Sequence, residues 1–393
     1  MASPRTLFFT MRIVIAPDKF KGCLSAPGVC RAIADGVRQV DPAIDIDECP
    51  VADGGEGTVA ALVAATGGTL FRRRVTGPLP EMKVDAEFGM LGDRTTAVIE
   101  MSAASGLALL APQDRNPLNT TTFGTGELLN AAVELGATHI ILGIGGSATV
   151  DGGIGCAQAC GHTIVLEDGE PISATEPLVG ADMDRVVMVK RHRGEKTDRV
   201  KITVGCDVTN PLFGENGAAV IYGPQKGATP AQVLELDESL RQLATRNGKL
   251  DLGATPGAGA AGGLGFGMLA FFGAELRSGF SIVAEAVDLA GRLRGADLCI
   301  TGEGRLDGQT AESGKAVDGV ARLCQSANIP CIALVGTIGE GAEKCFETGV
   351  TSYFSIVPGP MSLEQAMRET PGRLSDAAAR VLRLFSVSGG KVL

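Results

Sequence analysis

The chain of 393 residues has no tryptophan and only two tyrosines. Proteins that bind nucleic acid by stacking bases need more aromatic platforms than this. Positive charge is also short: 35 Lys and Arg stand against 45 Asp and Glu, a net charge of −10. The electrostatic footprint of a nucleic-acid partner is therefore missing. A small anionic ligand would need a local basic or amide-lined site working against the overall charge. Three histidines and the lack of any Cys-x-x-Cys pair leave no zinc set. The ten cysteines stand singly, with Cys156 and Cys160 one helical turn apart, and read as buried reduced thiols. A reducing, cytoplasmic compartment is expected from them. No apolar run is long enough to span a bilayer, so no membrane partner is expected. Residues 1–10 are too short for a secretory leader and read as an extension outside the fold.

Familiar catalytic signatures are absent as well. Gly308 to Gly314-Lys315 is a near miss to a phosphate-binding loop, with one residue too many and Ala316 where a hydroxyl is needed. The protein-kinase set, His-Glu-x-x-His and the Gly-x-Ser-x-Gly elbow do not occur. Any nucleotide site must be of another kind.

What the chain has in abundance is glycine, 55 in all, in short clusters without a three-residue period. Many tight backbone approaches follow. Apolar residues at 45% and charged residues at 20% describe a globular chain. Residues 12–16 and 44–51 read as strands, and 25–40 and 57–65 as helices, the first with Ser25 as N-cap. Strands follow at 70–75, 82–88 and 96–101, then a helix at 126–135, a strand at 139–142, a helix after Asp151 and a strand at 202–206. Residues 167–200 read as a polar, irregular stretch whose basic patch, Lys190 to Arg193, forms a solvated loop. Residues 255–267 read as a glycine-rich loop leading into a helix. Strands at 296–301, 330–335 and 352–356 alternate with helices at 314–326, 341–348 and from Leu363 onward. The fold class is α/β. Two α/β domains are expected: a discontinuous parallel-sheet domain of residues 11–68 and 290–385, and a second domain, 69–289, inserted in it, with the active site in the cleft between.

Ligands of open α/β sheets bind beyond the carboxyl ends of strands. Three strands here end in charged, glycine-rich strings: Pro17-Asp18-Lys19-Phe20-Lys21-Gly22, Ala52-Asp53-Gly54-Gly55-Glu56-Gly57-Thr58 and Thr301-Gly302-Glu303-Gly304-Arg305-Leu306-Asp307. A fourth string, Gly143-Ile144-Gly145-Gly146-Ser147-Ala148-Thr149, offers backbone amides to an anion. A fifth puts Asp207 just past a strand, in Cys206 to Leu212, where ordinary turn chemistry also fits. Gly223 to Gly227 and Gly257 to Gly263 serve equally as nests, hinges or plain loops. Carboxylates suit a hard cation such as Mg²⁺, lysine and arginine suit phosphate or carboxylate, and phosphoryl transfer uses all of these parts.

Taken in order, these strings resemble the type 1 glycerate kinases over residues 11–385. The resemblance implies ATP-dependent phosphorylation of D-glycerate, usually at the 2-hydroxyl to give 2-phosphoglycerate, with Mg²⁺ as cofactor. It makes Asp18, Lys21, Asp53, Asp207, Glu303, Arg305 and Asp307 the candidate catalytic residues. Asp53, Asp207 and Glu303 are the candidate metal ligands, and Gly54, Gly55, Gly145, Gly146 and Ser147 the candidate phosphate cradle. Lys21 is expected to neutralise phosphate, and Arg305 to grip the glycerate carboxylate or a phosphate. The general base is left open among the carboxylates, and a homodimer is one arrangement open to the chain. Lys19 departs from the family, where many members carry serine. Two other readings remain. A nicotinamide-dependent hydroxy-acid reductase is suggested by the loose Gly143-x-Gly145-x-x-Ala148 pattern, and would turn over reduced cofactor without ATP. A non-catalytic sensor of small acids would gain thermal stability from its ligand without releasing ADP.

Overall fold

The computed structural model describes residues 11–167, 169, 172, 176–191, 196–308 and 316–387. Residues 1–10, His192, Arg193 and the Gly314-Lys315 step lie outside them. Thirteen strands run in chain order among the described residues. They are β1 (Arg12–Ile15), β2 (Asp45–Glu48), β3 (Thr69–Thr76), β4 (Lys83–Met90), β5 (Thr96–Glu100), β6 (His139–Gly143) and β7 (Thr163–Leu166). Then come β8 (Val186–Lys190), β9 (Lys201–Gly205), β10 (Glu275–Arg277), β11 (Leu298–Leu306), β12 (Cys331–Ile338) and β13 (Ser352–Ser355). Contacts divide the chain into two units: residues up to Asp53 with Val283 onward, and Gly54–Ile282.

The first unit holds a five-stranded sheet in the order β13-β12-β11-β1-β2, parallel throughout. Ile13, Val14 and Ile15 are fully buried, as a central parallel strand covered on both faces requires. The helix Ala26–Val40 starts with proline in its first turn, where the missing N–H costs nothing. Ser25 takes the N-cap position without a side-chain cap bond. The helix buries Val29, Ile33 and Val37 and packs against the long helix Leu363–Val387. A Cβ on Gly36 would sit 2.1 Å from the Ser375 carbonyl oxygen, so glycine is what lets the two helices touch. From the central pair β1 and β11 the chain winds outward to opposite edges. Such a reversal of strand order is where open α/β sheets bind ligands, beyond the carboxyl ends of the two strands.

The second unit holds a six-stranded sheet in the order β10-β9-β6-β5-β4-β3. Its β5, β6, β9 and β10 are parallel, and β3 and β4 run antiparallel to their neighbours. Its core includes Phe88, Leu128, Leu142 and Phe266, all fully buried.

The structure corrects several sequence expectations. Residues 167–200 are not irregular throughout: β8 pairs with β7 as an antiparallel ribbon, carried by the apolar run Val186–Val189. Arg191 is not a solvated loop residue. Its Nε lies 2.6 Å from Asp198 and its Nη1 donates to the Phe272 carbonyl. The glycine stretch is shorter as a loop than expected: Ala261, Gly262 and Gly263 form a left-handed turn, and the helix begins after it, before Gly267. A helix does follow, as expected: it continues as a π-helix over Met268–Phe272 and ends just before β10. A Cβ on Gly262 would lie 1.9 Å from the Thr149 carbonyl oxygen, so close packing dictates the glycine there. Residues 342–346 form a 3-10 turn rather than an α-helix. The helix Pro230–Arg246, opened by a Thr229/Gln232 capping box, was not expected. Among the described residues no helix is long and apolar enough to cross a membrane.

Candidate active site

In the first unit the chain keeps its parallel pairing for a few residues beyond β1. The Ala16 N–H donates to the Ile300 carbonyl at 2.8 Å, and the Asp18 N–H to the Gly302 carbonyl at 2.9 Å. The Thr301 hydroxyl donates to the Ala16 carbonyl at 2.8 Å. This ladder carries Asp18 alongside Gly302 of β11, where the strand order reverses. Asp18 is buried, with 8% of its surface exposed. Its Oδ1 accepts the Lys19 N–H at 2.6 Å. The Lys19 Nζ stands 4.0 Å from carboxylate oxygens of both Asp18 and Asp53. Burial pushes the Asp18 carboxyl up from 3.8 to about 6, opposed by the Lys19 charge and reinforced by Asp53.

Asp18, Lys19 and Asp53 thus form one charged group. Gly304 of β11 lies beside the Phe20–Lys21 backbone, within ordinary contact distance of it. Arg305 and Asp307 form a second group, with Nε 3.0 Å from Oδ2 and the arginine largely exposed. An exposed arginine beside a carboxylate can release it to grip an incoming anion.

In the second unit, glycines crowd the carboxyl ends of β6, β9 and β10. Gly54 has φ +85°, and a Cβ on it would lie 2.6 Å from the Gly279 Cα. One on Gly143 would meet the Gly54 carbonyl oxygen at 2.5 Å, and one on Gly145 the Gly55 Cα at 3.4 Å. Gly54 and Gly55 therefore lie backbone to backbone on the Gly143–Gly145 turn. Asp207, two residues past β9, accepts the Gly279 N–H at 2.9 Å.

Three buried or half-buried charges in this unit escaped the sequence reading. Glu100, the last residue of β5, accepts the Gly57 and Val59 amides, each at 2.9 Å. The N-terminus of the helix Thr58–Thr66 thus already holds a carboxylate. Lys226 is buried, and its Nζ donates to the Ser147 hydroxyl at 2.7 Å and to the Thr149 carbonyl at 2.8 Å. Burial pulls its ammonium down to about 7, against the attraction of Asp151. Asp151 is fully buried and accepts the Thr122 N–H and hydroxyl and the Gly153 N–H. Burial raises its carboxyl, and those hydrogen bonds oppose the rise. Together Lys226 and Asp151 fix the loop that carries Gly145, Gly146 and Ser147. Lys226 lies in a string the sequence offered as a nest or hinge, and a lysine between two turn glycines was the one visible signal.

The comparisons with known proteins agree along the whole chain. Residues 13–386 match the profile of the glycerate kinase family. A glycerate kinase of Halalkalibacterium halodurans is 47% identical over 94% of this chain and 97% of its own length. The glycerate 2-kinase of Escherichia coli K12 is 44% identical over 96% of this chain and 98% of its own. A crystal structure from Salmonella typhimurium LT2, provisionally assigned as glycerate kinase 2, superposes with a TM-score of 0.87 at 40% identity, covering 97% of this chain and all of that one. The chain belongs to the glycerate kinase family.

Proposed function

We propose that this chain transfers the γ-phosphoryl group of ATP to the 2-hydroxyl of D-glycerate, giving 2-phosphoglycerate and ADP. One observation carries the reading: the 44% identity to the Escherichia coli glycerate 2-kinase extends over 96% of the chain. Family membership speaks against the reductase and sensor readings.

Asp18 is the proposed general base. A carboxyl brought near 6 by burial is ionised at neutral pH yet basic enough to take a hydroxyl proton. As the glycerate oxygen bonds to the γ-phosphorus, its proton passes to the Asp18 carboxylate and the bond from that phosphorus to the β,γ-bridging oxygen breaks. ADP leaves with that electron pair. Lys21 is proposed to balance charge on the moving phosphoryl group, and Arg305 to hold the glycerate carboxylate bidentately. Mg²⁺ is the expected partner of ATP, and the residues fit it. The proposed donors are carboxylate oxygens, and the Lys19 ammonium, 4.0 Å from oxygens of both Asp18 and Asp53, supports reading this spot as one that favours positive charge. Asp53 and Glu303 are the side chains proposed to hold it. When bound, Mg²⁺ would neutralise phosphate oxygens.

The test is incubation with ATP, Mg²⁺ and each glycerate enantiomer, followed by phosphorus NMR of the product. D-glycerate should yield 2-phosphoglycerate and stoichiometric ADP. Failure to form ADP with either enantiomer overturns the proposal.

A further inference from the structure

The cysteines that stand singly along the sequence do not all stand singly in space. Cys299 on β11 and Cys331 on β12 are register partners across the parallel ladder. Cys324 comes from the helix Ala316–Ala327, which packs on both strands. All three are fully buried, and their sulfur atoms lie within 4.8 Å of one another. Among the described residues this is the one set of three His, Cys, Asp or Glu ligand atoms gathered so closely.

Three sulfurs from three elements, all turned to one point, form a soft donor set. No carboxylate or imidazole of the described residues joins it within that distance, so the fourth ligand that zinc favours is missing. Charge narrows the choice further. Three thiolates around Zn²⁺ leave one net negative charge in a dry interior, and around Cu⁺ they leave two, and uncompensated buried charge is costly. Three thiolates around a trivalent, thiophilic element leave none.

We propose that Cys299, Cys324 and Cys331 form a three-thiol site for trivalent arsenic, which enters as uncharged arsenous acid. The exchange balances without an oxidant: As(OH)₃ + 3 R–SH gives As(SR)₃ + 3 H₂O. Each As–O bond and each S–H bond breaks, each As–S bond forms, and every thiol proton leaves with a hydroxide as water. Arsenic keeps its oxidation state. Because the sulfurs are buried, entry requires local opening of the fold, so uptake is slow and retention long. Binding to the native state alone raises its stability.

The experiment uses the whole chain with all cysteines reduced. It is incubated with sodium arsenite, desalted and weighed intact under non-denaturing conditions. Free thiols are then counted after unfolding in a thiol label. The expected result is one arsenic per chain, a mass gain of one arsenic less three hydrogens, and three thiols protected. Cys324→Ser should weaken retention by more than about 100-fold, beyond the loss of a mere supporting partner. Cys160→Ser, which breaks the separate Cys156/Cys160 pair, should leave retention unchanged. Wild-type protein that keeps no arsenic, or keeps it with fewer than three thiols protected, overturns the proposal, as does undiminished retention in a folded Cys324→Ser. The wild-type thiol count needs no variant, so it decides the matter even if Cys324→Ser fails to fold.

Discussion

Asp18→Asn should make the protein more stable at neutral pH while removing most of its activity. The carboxyl rises from 3.8 in the unfolded chain to about 6 in the fold, chiefly because it is buried. A raised value means the native state binds the proton more tightly than the unfolded state does. The associated stability is complete below about pH 3.8 and is lost as pH rises through about 6. The difference of about 2 pKa units corresponds to about 3 kcal/mol, at about 1.4 kcal/mol for each tenfold in proton affinity. Asparagine has the same shape, keeps an acceptor for the Lys19 N–H, and carries no charge to desolvate. Its expected gain at pH 8 is about 1–3 kcal/mol, the lower end allowing for the lost attraction to Lys19. With no tryptophan to report unfolding, the assay is urea denaturation followed by far-ultraviolet circular dichroism, at pH 8 and pH 4. The variant should lead at pH 8 and draw level at pH 4. Turnover should fall by about 10²–10⁴, the usual worth of a general base, and wild-type turnover should decline as pH drops through about 6. Two outcomes refute the reasoning: a variant no more stable than wild type at pH 8, or one that keeps its turnover.

The second unit offers three further tests. Lys226 holds its proton less tightly in the fold, at about 7, than in the unfolded chain, at 10.5, so the native state gains stability as pH rises above 7. The stability of wild type relative to Lys226→Met should climb by up to about 1.4 kcal/mol per pH unit between pH 7 and 9, and a constant gap in urea melts would contradict the burial argument. Gly54→Ala forces a Cβ to within 2.6 Å of the Gly279 backbone at φ +85° and should cost about 2–4 kcal/mol. Gly67→Ala, at φ +65° with nothing within 4 Å, should cost only about 1–2 kcal/mol in the same denaturant titration. Glu100→Gln weakens two amide bonds at a helix N-terminus and should destabilise by about 1–2 kcal/mol, measured by thermal unfolding.

Ten of the thirteen described strands and several helices were legible because local patterns wrote them. The apolar run of β1 reads as a buried strand, and Gly67 closes its helix in the left-handed conformation a helix stop calls for. The charged strings do lie just past their strands, and the Asp18 backbone pairs with Gly302 of β11. The roles of Glu100, Asp151 and Lys226 were not legible. Each depends on partners far away in sequence, 43 residues from Glu100 to Gly57 and 79 from Lys226 to Ser147. The ribbon of β7 and β8 was missed for a similar reason, since its apolar run lies inside a polar stretch and finds its partner strand only in three dimensions. Cysteine spacing likewise said nothing of the triad, because strand pairing, not sequence distance, brings Cys299 beside Cys331.

The parallel pairing of β1 with β11 also has a consequence for the birth of the protein. Ile13 meets Leu298, a partner made 285 residues later. At ribosomal speeds of about 5–20 residues per second, the gap lasts about 15–60 s. Throughout that time one side of β1 is an unpaired edge, and an apolar parallel edge is a template for wrong partners. The nascent amino-terminal segment is therefore the stretch for which a holding chaperone would matter most, while Gly54–Ile282, whose strands pair only among themselves, can complete its own sheet before synthesis ends.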